Sequence, residues 1–323
     1  GTLVNKFTDV APGTALSWTD DEISVSDTYT YSVFASTEYG DGEAVSVSSY
    51  VGIDVPGSVS NVSIKEDSDG NALLNWSAPT VGSHGGYFDN SDINYRILRS
   101  DGVVVAQNYH ETSFVDSNLP VNNSQELIYY VITAYAGSAK GDYFMTESVV
   151  FGTPYICPFV EGFAGSEMDN YPWVTESDDN MTETWILADI GQNPSASDQN
   201  GDRGLITFRS YGVDAGKKAS LSSPKISLTG LTSPSLSFWI YHTADDDAEE
   251  VNVAILSPTD GWQMIDDIAI RLGNSASGWQ RHTVSLSQYK EQAWIRVAFI
   301  ATTAGGNNIH LDNISINEVM GND

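Results

Sequence analysis

Ser113-Phe114-Val115-Asp116, followed by Leu119 and then by Tyr130-Val131-Ile132-Thr133-Ala134, repeats an earlier stretch of the same chain. Ser17-Trp18-Thr19-Asp20, followed by Ile23 and then by Tyr31-Ser32-Val33-Phe34-Ala35, lines up with it at an offset of 96 to 99 residues. An offset that long is a whole domain written twice, not one unit of a solenoid. Between the copies lie an alternating run from Val59 to Ile64, then Leu73-Leu74-Asn75-Trp76-Ser77-Ala78-Pro79, then Tyr95-Arg96-Ile97-Leu98-Arg99. Alternation continues to the carboxyl end, as in Leu236-Ser237-Phe238-Trp239-Ile240 and Ile295-Arg296-Val297-Ala298-Phe299. Period two is the signature of half-buried strands. Clusters such as Asp69-Gly70-Asn71 and Gly305-Gly306-Asn307-Asn308 supply the turns. No stretch sustains an amphipathic helix, so the fold class is all-β.

The 323 residues suit two to three domains, each able to bury its own core. The 43 acidic residues against 14 basic ones leave a formal charge of -29. That balance excludes nucleic acid and an anionic membrane as partners, since both require a cationic face. Cys157 is the one cysteine, so no disulfide can form within the chain and stability must come from packing. No apolar run approaches the ~20 residues of a membrane-spanning helix, so no membrane insertion is expected. The amino end lacks the layout of a signal peptide, and Gly1 followed by strand-like Thr2-Leu3-Val4 reads as a cut inside a larger protein. The composition fits a secreted or cell-surface location.

The order of a strand, a Trp-bearing strand ending in Ala-Pro, a Tyr-x-Ile strand and a late Tyr-x-Val-x-Ala strand resembles the fibronectin type III family. The resemblance covers residues 56–154 as a complete immunoglobulin-like module and 1–55 as the carboxyl-terminal half of another. It implies that Trp76 and Tyr130 are core packing residues. The family often places a corner tyrosine two residues before the core one; Tyr29 fits, but Ile128 does not. The corner hydrogen bond should therefore be missing from the complete module. A half module, with Leu3, Val4, Trp18, Tyr29, Tyr31 and Val33, would leave an apolar face to be covered, and pairing between two chains through it is the expectation.

After Gly152-Thr153-Pro154 the repeat stops and tryptophans accumulate at 173, 185, 239, 262, 279 and 294. Phe159-Val160-Glu161-Gly162-Phe163, Leu221-Ser222-Ser223-Pro224-Lys225-Ile226, Leu236-Ser237-Phe238-Trp239 and closing Leu311-Asp312-Asn313-Ile314 follow in order. Residues 156–323 thereby resemble the jelly-roll β-sandwiches grouped as MAM-like and cleaved-adhesin modules. The expected layout is a set of beads joined by short linkers near 54–57 and 153–158.

Catalytic motifs are missing from the sequence: no Gly-x-Ser-x-Gly, no His-Glu-x-x-His and no glycine-rich phosphate loop. The five histidines lack ligand spacing, and Cys157 reads as a small buried hydrophobe at the domain junction. The acidic run Asp245-Asp246-Asp247-Ala248-Glu249-Glu250 reads as a solvated turn. The jelly-roll resemblance implies one Ca²⁺ where the first strand meets the last, held by oxygens from loops. Matching positions are Glu161, Asp178, Asp198, Asp202 and Asp312, with Asp179 and Asn200 beside them. Relatives often carry Phe-Glu at the opening where this chain has Phe163-Ala164, so a ligand is either lost or replaced by Glu161.

A second constellation is aromatic. If Leu236, Phe238 and Ile240 face the core, Trp239 and Tyr241 face outward; if Ile295, Val297 and Phe299 do, so do Trp294 and Arg296. These four form a candidate ligand-binding surface with sugar-stacking rings, unless loops cover them. The function expected is non-catalytic adhesion or capture of a glycan or an extracellular protein, with the fibronectin-type modules as spacers. The alternatives are an accessory carbohydrate-binding region of a secreted glycosidase or protease, and a structural stalk.

Overall fold

The computed structural model describes residues 2–121, 124–166, 171–177, 185–242, 249–265, 270–271 and 277–319. The chain divides into two compact units, residues 1–119 with 128–149, and residues 120–127 with 150–323. Among the described residues the only helical turns are short 3-10 turns at Ala164–Ser166 and Ser287–Tyr289.

In the first unit, a three-stranded sheet of Ser60–Glu66, Ala72–Ser77 and Ser113–Asp116 belongs with a four-stranded one of Ala139–Met145, Tyr130–Ala136, Ile93–Arg99 and Val104–Tyr109. Alternate residues Leu74, Trp76, Tyr95, Ile97, Tyr130 and Ile132 are buried, the packing of an immunoglobulin-like sandwich. The Trp76 ring meets Tyr95 edge-on at 5.2 Å. Arg99 is buried and pairs with Asp116 at 2.8 Å, while the Tyr130 hydroxyl donates to the same carboxylate at 2.9 Å.

Before this sandwich, Asp27–Val33 pairs antiparallel with Val45–Val51. The Tyr31 hydroxyl donates to Asp20 at 2.9 Å, the same bond that Tyr130 makes to Asp116. Tyr29 donates to the Val25 carbonyl at 3.0 Å, whereas Ile128 is buried and has no hydroxyl to offer. Leu3 and Val33 are each 73 % exposed, and Val4, Trp18, Val45 and Val47 are exposed with them. Residues 50–55 are tied to the turn at 82–86 through Asp54. Its carboxylate accepts the backbone N–H groups of Val55, His84 and Gly86 and bonds the His84 ring at 2.8 Å, on which Tyr50 stacks at 4.7 Å.

The second unit is a jelly-roll sandwich of two sheets. The front sheet runs Trp185–Ala188, Leu205–Phe208, Ile309–Glu318, Pro234–His242 and Gly278–Ser285, with Phe159–Glu161 also pairing Ile309–Glu318. The back sheet runs Val174–Ser177, Lys218–Ser222, Arg296–Thr302, Glu250–Ser257 and Gly261–Met264, with Ile270–Arg271 also on Glu250–Ser257. Leu236, Phe238 and Ile240 from the front sheet and Ile295, Val297 and Phe299 from the back are buried together. Glu249 corrects one expectation: it is buried, not solvated, and accepts the Ser210 hydroxyl at 2.9 Å and the Gly306 N–H at 2.8 Å. Residues 245–248 of that run lie outside the described residues. Cys157 is half-buried rather than buried, its thiol 3.4 Å from the Ser227 carbonyl.

Candidate functional site

Glu161, Asp198, Asp202 and Asp312 come together at the junction of the opening and closing strands. Three-residue pairing of Phe159–Glu161 with Ile314–Ile316 places Glu161 beside the bend that carries Asp312 and Asn313. Asp312 is fully buried and accepts the Gln199 N–H at 2.8 Å and the Asn313 N–H at 2.6 Å. Glu161 is buried too, accepting the Phe163 N–H at 2.8 Å and the Trp173 indole at 3.0 Å. Among the described residues neither has a cation as a partner. The loop 198–203 closes over them: Asp198 accepts the Arg203 N–H at 3.0 Å, and the Asn200 amide bridges Asp202 at 2.8 Å and the Asn313 side chain at 3.0 Å. A Cβ built on Gly162 would lie 2.7 Å from the Asp202 carboxylate, so a larger residue there would push that side chain aside.

The electrostatics follow from burial without a counter-charge. Burial pushes the Asp312 carboxyl up to about 7; the N–H groups of Gln199 and Asn313 oppose this, and the charges of Asp202 and Asp198 add to it. Burial also raises Glu161, again opposed by its hydrogen bonds and reinforced by Asp202. The donor set of carboxylate and amide oxygens fits a hard dication by chemistry. By geometry, among the described residues no three acidic or histidine side chains already converge as metal ligands. Asn200 and Asp202 bond each other instead. Asp178, with Asp179, lies outside the described residues.

The front sheet's outer face carries Trp239 and Tyr241. Trp239 is half-buried between its cross-strand neighbours Arg281 and Asp312. Tyr241 meets Trp279 edge-on at 5.5 Å and His310 at 6.2 Å. A hairpin of residues 190–197 lies across this face: the Trp279 indole donates to the Ser197 carbonyl at 2.9 Å, and His310 bonds the Pro194 carbonyl at 2.8 Å through one ring nitrogen and Thr207 at 2.9 Å through the other. Gly191 sits so close over His310 that a Cβ would be 2.7 Å from the ring. On the far side of the hairpin is a groove of about 320 Å³. Ile186, Ala188 and Ile190 line it with apolar surface, Gln192, Asn193, Arg209 and Asn308 with polar groups, and Tyr211 with an aromatic ring. Asn308 holds its walls, accepting the N–H groups of Ser210 and Tyr211 and donating to the Gln192 carbonyl at 2.9 Å.

Arg296 belongs to the other sheet, and Trp294 lies in the segment that leads into its strand. The Arg296–Thr302 strand pairs with Lys218–Ser222 and Glu250–Ser257, whereas Pro234–His242 pairs with Gly278–Ser285 and Ile309–Glu318. The outer faces of the two sheets point away from each other, so the four expected residues do not form one platform. Trp279, His310, Tyr211 and Asn308 were not singled out by the sequence. Trp279 stood among the accumulated tryptophans, but its strand Gly278–Ser285 does not alternate apolar with polar residues and so marked no face for it; Tyr211 and Asn308 lie in loops whose pairing no periodicity reveals.

The MAM domain family, meprin/A5/mu, matches residues 151–320. No curated protein matches the chain in sequence. Among solved structures, the K1 cleaved adhesin domain of Lys-gingipain from Porphyromonas gingivalis W83 is 19% identical, with a TM-score of 0.34 over 50% of this chain and 98% of its own. The K2 cleaved adhesin domain of Lys-gingipain is 16% identical, with a TM-score of 0.37 over 51% of this chain and 99% of its own. TmCBM61, solved in complex with β-1,4-galactotriose, is 14% identical, with a TM-score of 0.37 over 49% of this chain and 94% of its own.

Proposed function

The chain belongs to the MAM domain family, and we propose that its jelly roll captures a glycan on the outer face of the front sheet without catalysing a reaction on it. The observation that carries this reading is the groove of about 320 Å³ beside the 190–197 hairpin. Amide side chains, a guanidinium and an exposed tyrosine ring around apolar walls are what a sugar needs, hydroxyl partners at its rim and a flat surface under its carbon face. Tyr211, 62 % exposed, supplies that surface at little entropic cost. Trp239 and Tyr241 back the same face on the other side of the hairpin.

On this reading residues 56–154 are a fibronectin type III spacer, residues 1–55 part of a second, and the protein works outside the cell. Calcium holds the loop 198–203 to the opening and closing strands through Glu161, Asp198, Asp202 and Asp312, with Asp178 as a further ligand. The loop leads directly out of the 190–197 hairpin, so the ion would stiffen the hairpin that borders the groove. Screening the chain against an array of neutral and acidic glycans tests the reading, and retention of none would leave the groove without a ligand class.

A further inference from the structure

Residues 1–55 hold an incomplete copy of a network that the complete module finishes. In the complete module Asp116 accepts the Asn118 N–H at 3.0 Å through Oδ1 and the Tyr130 hydroxyl at 2.9 Å through Oδ2. Arg99 Nη1 donates to the same Oδ2 at 2.8 Å and to the Asn118 carbonyl at 2.7 Å. Asp20 repeats the arrangement atom for atom, accepting the Glu22 N–H at 3.2 Å through Oδ1 and the Tyr31 hydroxyl at 2.9 Å through Oδ2. Among the described residues no arginine or lysine pairs with it. Asp20 keeps part of its surface in water.

The strand that supplies Arg99 has no counterpart beside Asp20. Tyr130–Ala136 lies between Ala139–Met145 and Ile93–Arg99, whereas its repeat, Asp27–Val33, pairs with Val45–Val51 and, among the described residues, with nothing on its other edge. Such an edge offers backbone N–H and C=O groups to an added strand. The complete module sets what fits: Tyr130 faces Arg99, Ile132 faces Ile97 and Ala134 faces Tyr95. Tyr31, Val33 and Ala35 therefore require Arg, Ile and Tyr at alternate positions of the added strand. Tyr95 and Ile97 are fully buried, while Trp18, Val33, Val45 and Val47 stand exposed. Residues 1–55 carry nine acidic residues against one basic, Lys6, which favours a basic partner. We infer that the free edge of Asp27–Val33 binds an extended strand of another polypeptide with the pattern Tyr-x-Ile-x-Arg, whose arginine completes the Asp20–Tyr31 pair while its tyrosine and isoleucine cover the open face. A second half module would shield the valines but brings no arginine, since residues 1–55 contain none. The added strand competes with that pairing, and the site stands apart from the glycan reading.

The test is fluorescence anisotropy of a labelled synthetic peptide, residues 92–101 of this sequence, titrated with the full chain; the peptide carries the pattern as Tyr95, Ile97 and Arg99. Saturable binding is expected. Arg99→Met in the peptide should weaken it about tenfold or more, the scale of a lost charge-assisted bond. Asp20→Asn in the chain should weaken the unaltered peptide by a similar factor and leave the Arg99→Met peptide where it was, because the two changes remove one interaction. Val33→Asp should abolish binding, and since Val33 is a surface residue that variant decides the question if Asp20→Asn does not fold. No binding, equal binding of the two peptides, or binding that survives Val33→Asp would each overturn the inference. A peptide that exchanged into the complete module in place of Ile93–Arg99 would ignore both Asp20→Asn and Val33→Asp, and that outcome overturns it too.

Discussion

Phe238 and Phe299 meet edge to face in the jelly-roll interior, their ring centroids 5.0 Å apart and their planes at 75°. One comes from each sheet, so this contact fixes which side of both strands is core and which is surface. Trp239 and Tyr241 on one sheet and Arg296 on the other lie on the outer faces because these two rings are inward.

Phe299→Ala should therefore destabilise the jelly roll by about 3–5 kcal/mol, the cost of an emptied aromatic site. Trp239→Ala, at a half-buried position on the outer face, should cost about 1–2 kcal/mol. Urea unfolding of both variants checks the order, and a larger loss for Trp239→Ala would reverse the assignment of faces.

Calcium should raise the melting temperature of the chain relative to EDTA. Binding to the folded state alone stabilises it by about 2.7 kcal/mol when free ion stands at ~100 times the dissociation constant. Asp312→Asn should abolish the shift because it removes the buried carboxylate at the centre of the cluster. Superimposed melting curves for the wild type with and without the ion would remove calcium from the account.

The repeat and the alternation carried most of the fold. Asp20 with Tyr31 and Asp116 with Tyr130 were aligned by pattern alone, and the two pairs make the same hydrogen bond at 2.9 Å. The corner position of Tyr29, whose hydroxyl donates to Val25, and the missing hydroxyl at Ile128 followed from the resemblance, which did not name the acceptor. That Glu161, Asp198, Asp202 and Asp312 lie near one junction was legible only through resemblance, since Glu161 lies 37 residues before Asp198 and Asp312 lies 110 beyond Asp202. Strand adjacency was not legible at all. Trp239 and Arg296 read alike in sequence, each opposite an aliphatic face, and hydrogen-bond partners decided afterwards that they belong to different sheets. Glu249 misled because an acidic run says nothing of a member that a serine hydroxyl and a glycine N–H draw inward.

Asp54 gives the first unit an acid-sensitive joint. Burial would raise its carboxyl, but bonds from the His84 ring and from the N–H groups of His84, Val55 and Gly86 outweigh it and hold the group below its ordinary range. A depressed carboxylate contributes stability that is full above the unfolded value, about 3.9, and is lost as pH falls through the folded one. Asp54→Asn should be less stable than the wild type at neutral pH, and the difference should shrink on acidification below about pH 4. A difference that stays constant in thermal melts down to about pH 2 would show that Asp54 does not titrate with folding.

The open face around Val33, Val45 and Val47 should draw two chains together, because soluble monomers rarely leave a contiguous apolar patch of more than a few hundred Å² in water. Sedimentation of the chain beside one that starts at Pro56 checks this. A dimer that dissociates in Val33→Asp or on removal of residues 1–55 is expected; monomers throughout would mean that this face tolerates water.

The central claim is that the front face of the jelly roll takes a sugar, and the direct measurement is glycan-array retention of the wild type and Tyr211→Ala side by side in millimolar calcium. The wild type should retain a narrow set of glycans, and Tyr211→Ala should lose them while melting at the same temperature. Retention of nothing by the wild type, or of the same set by both proteins, would contradict it.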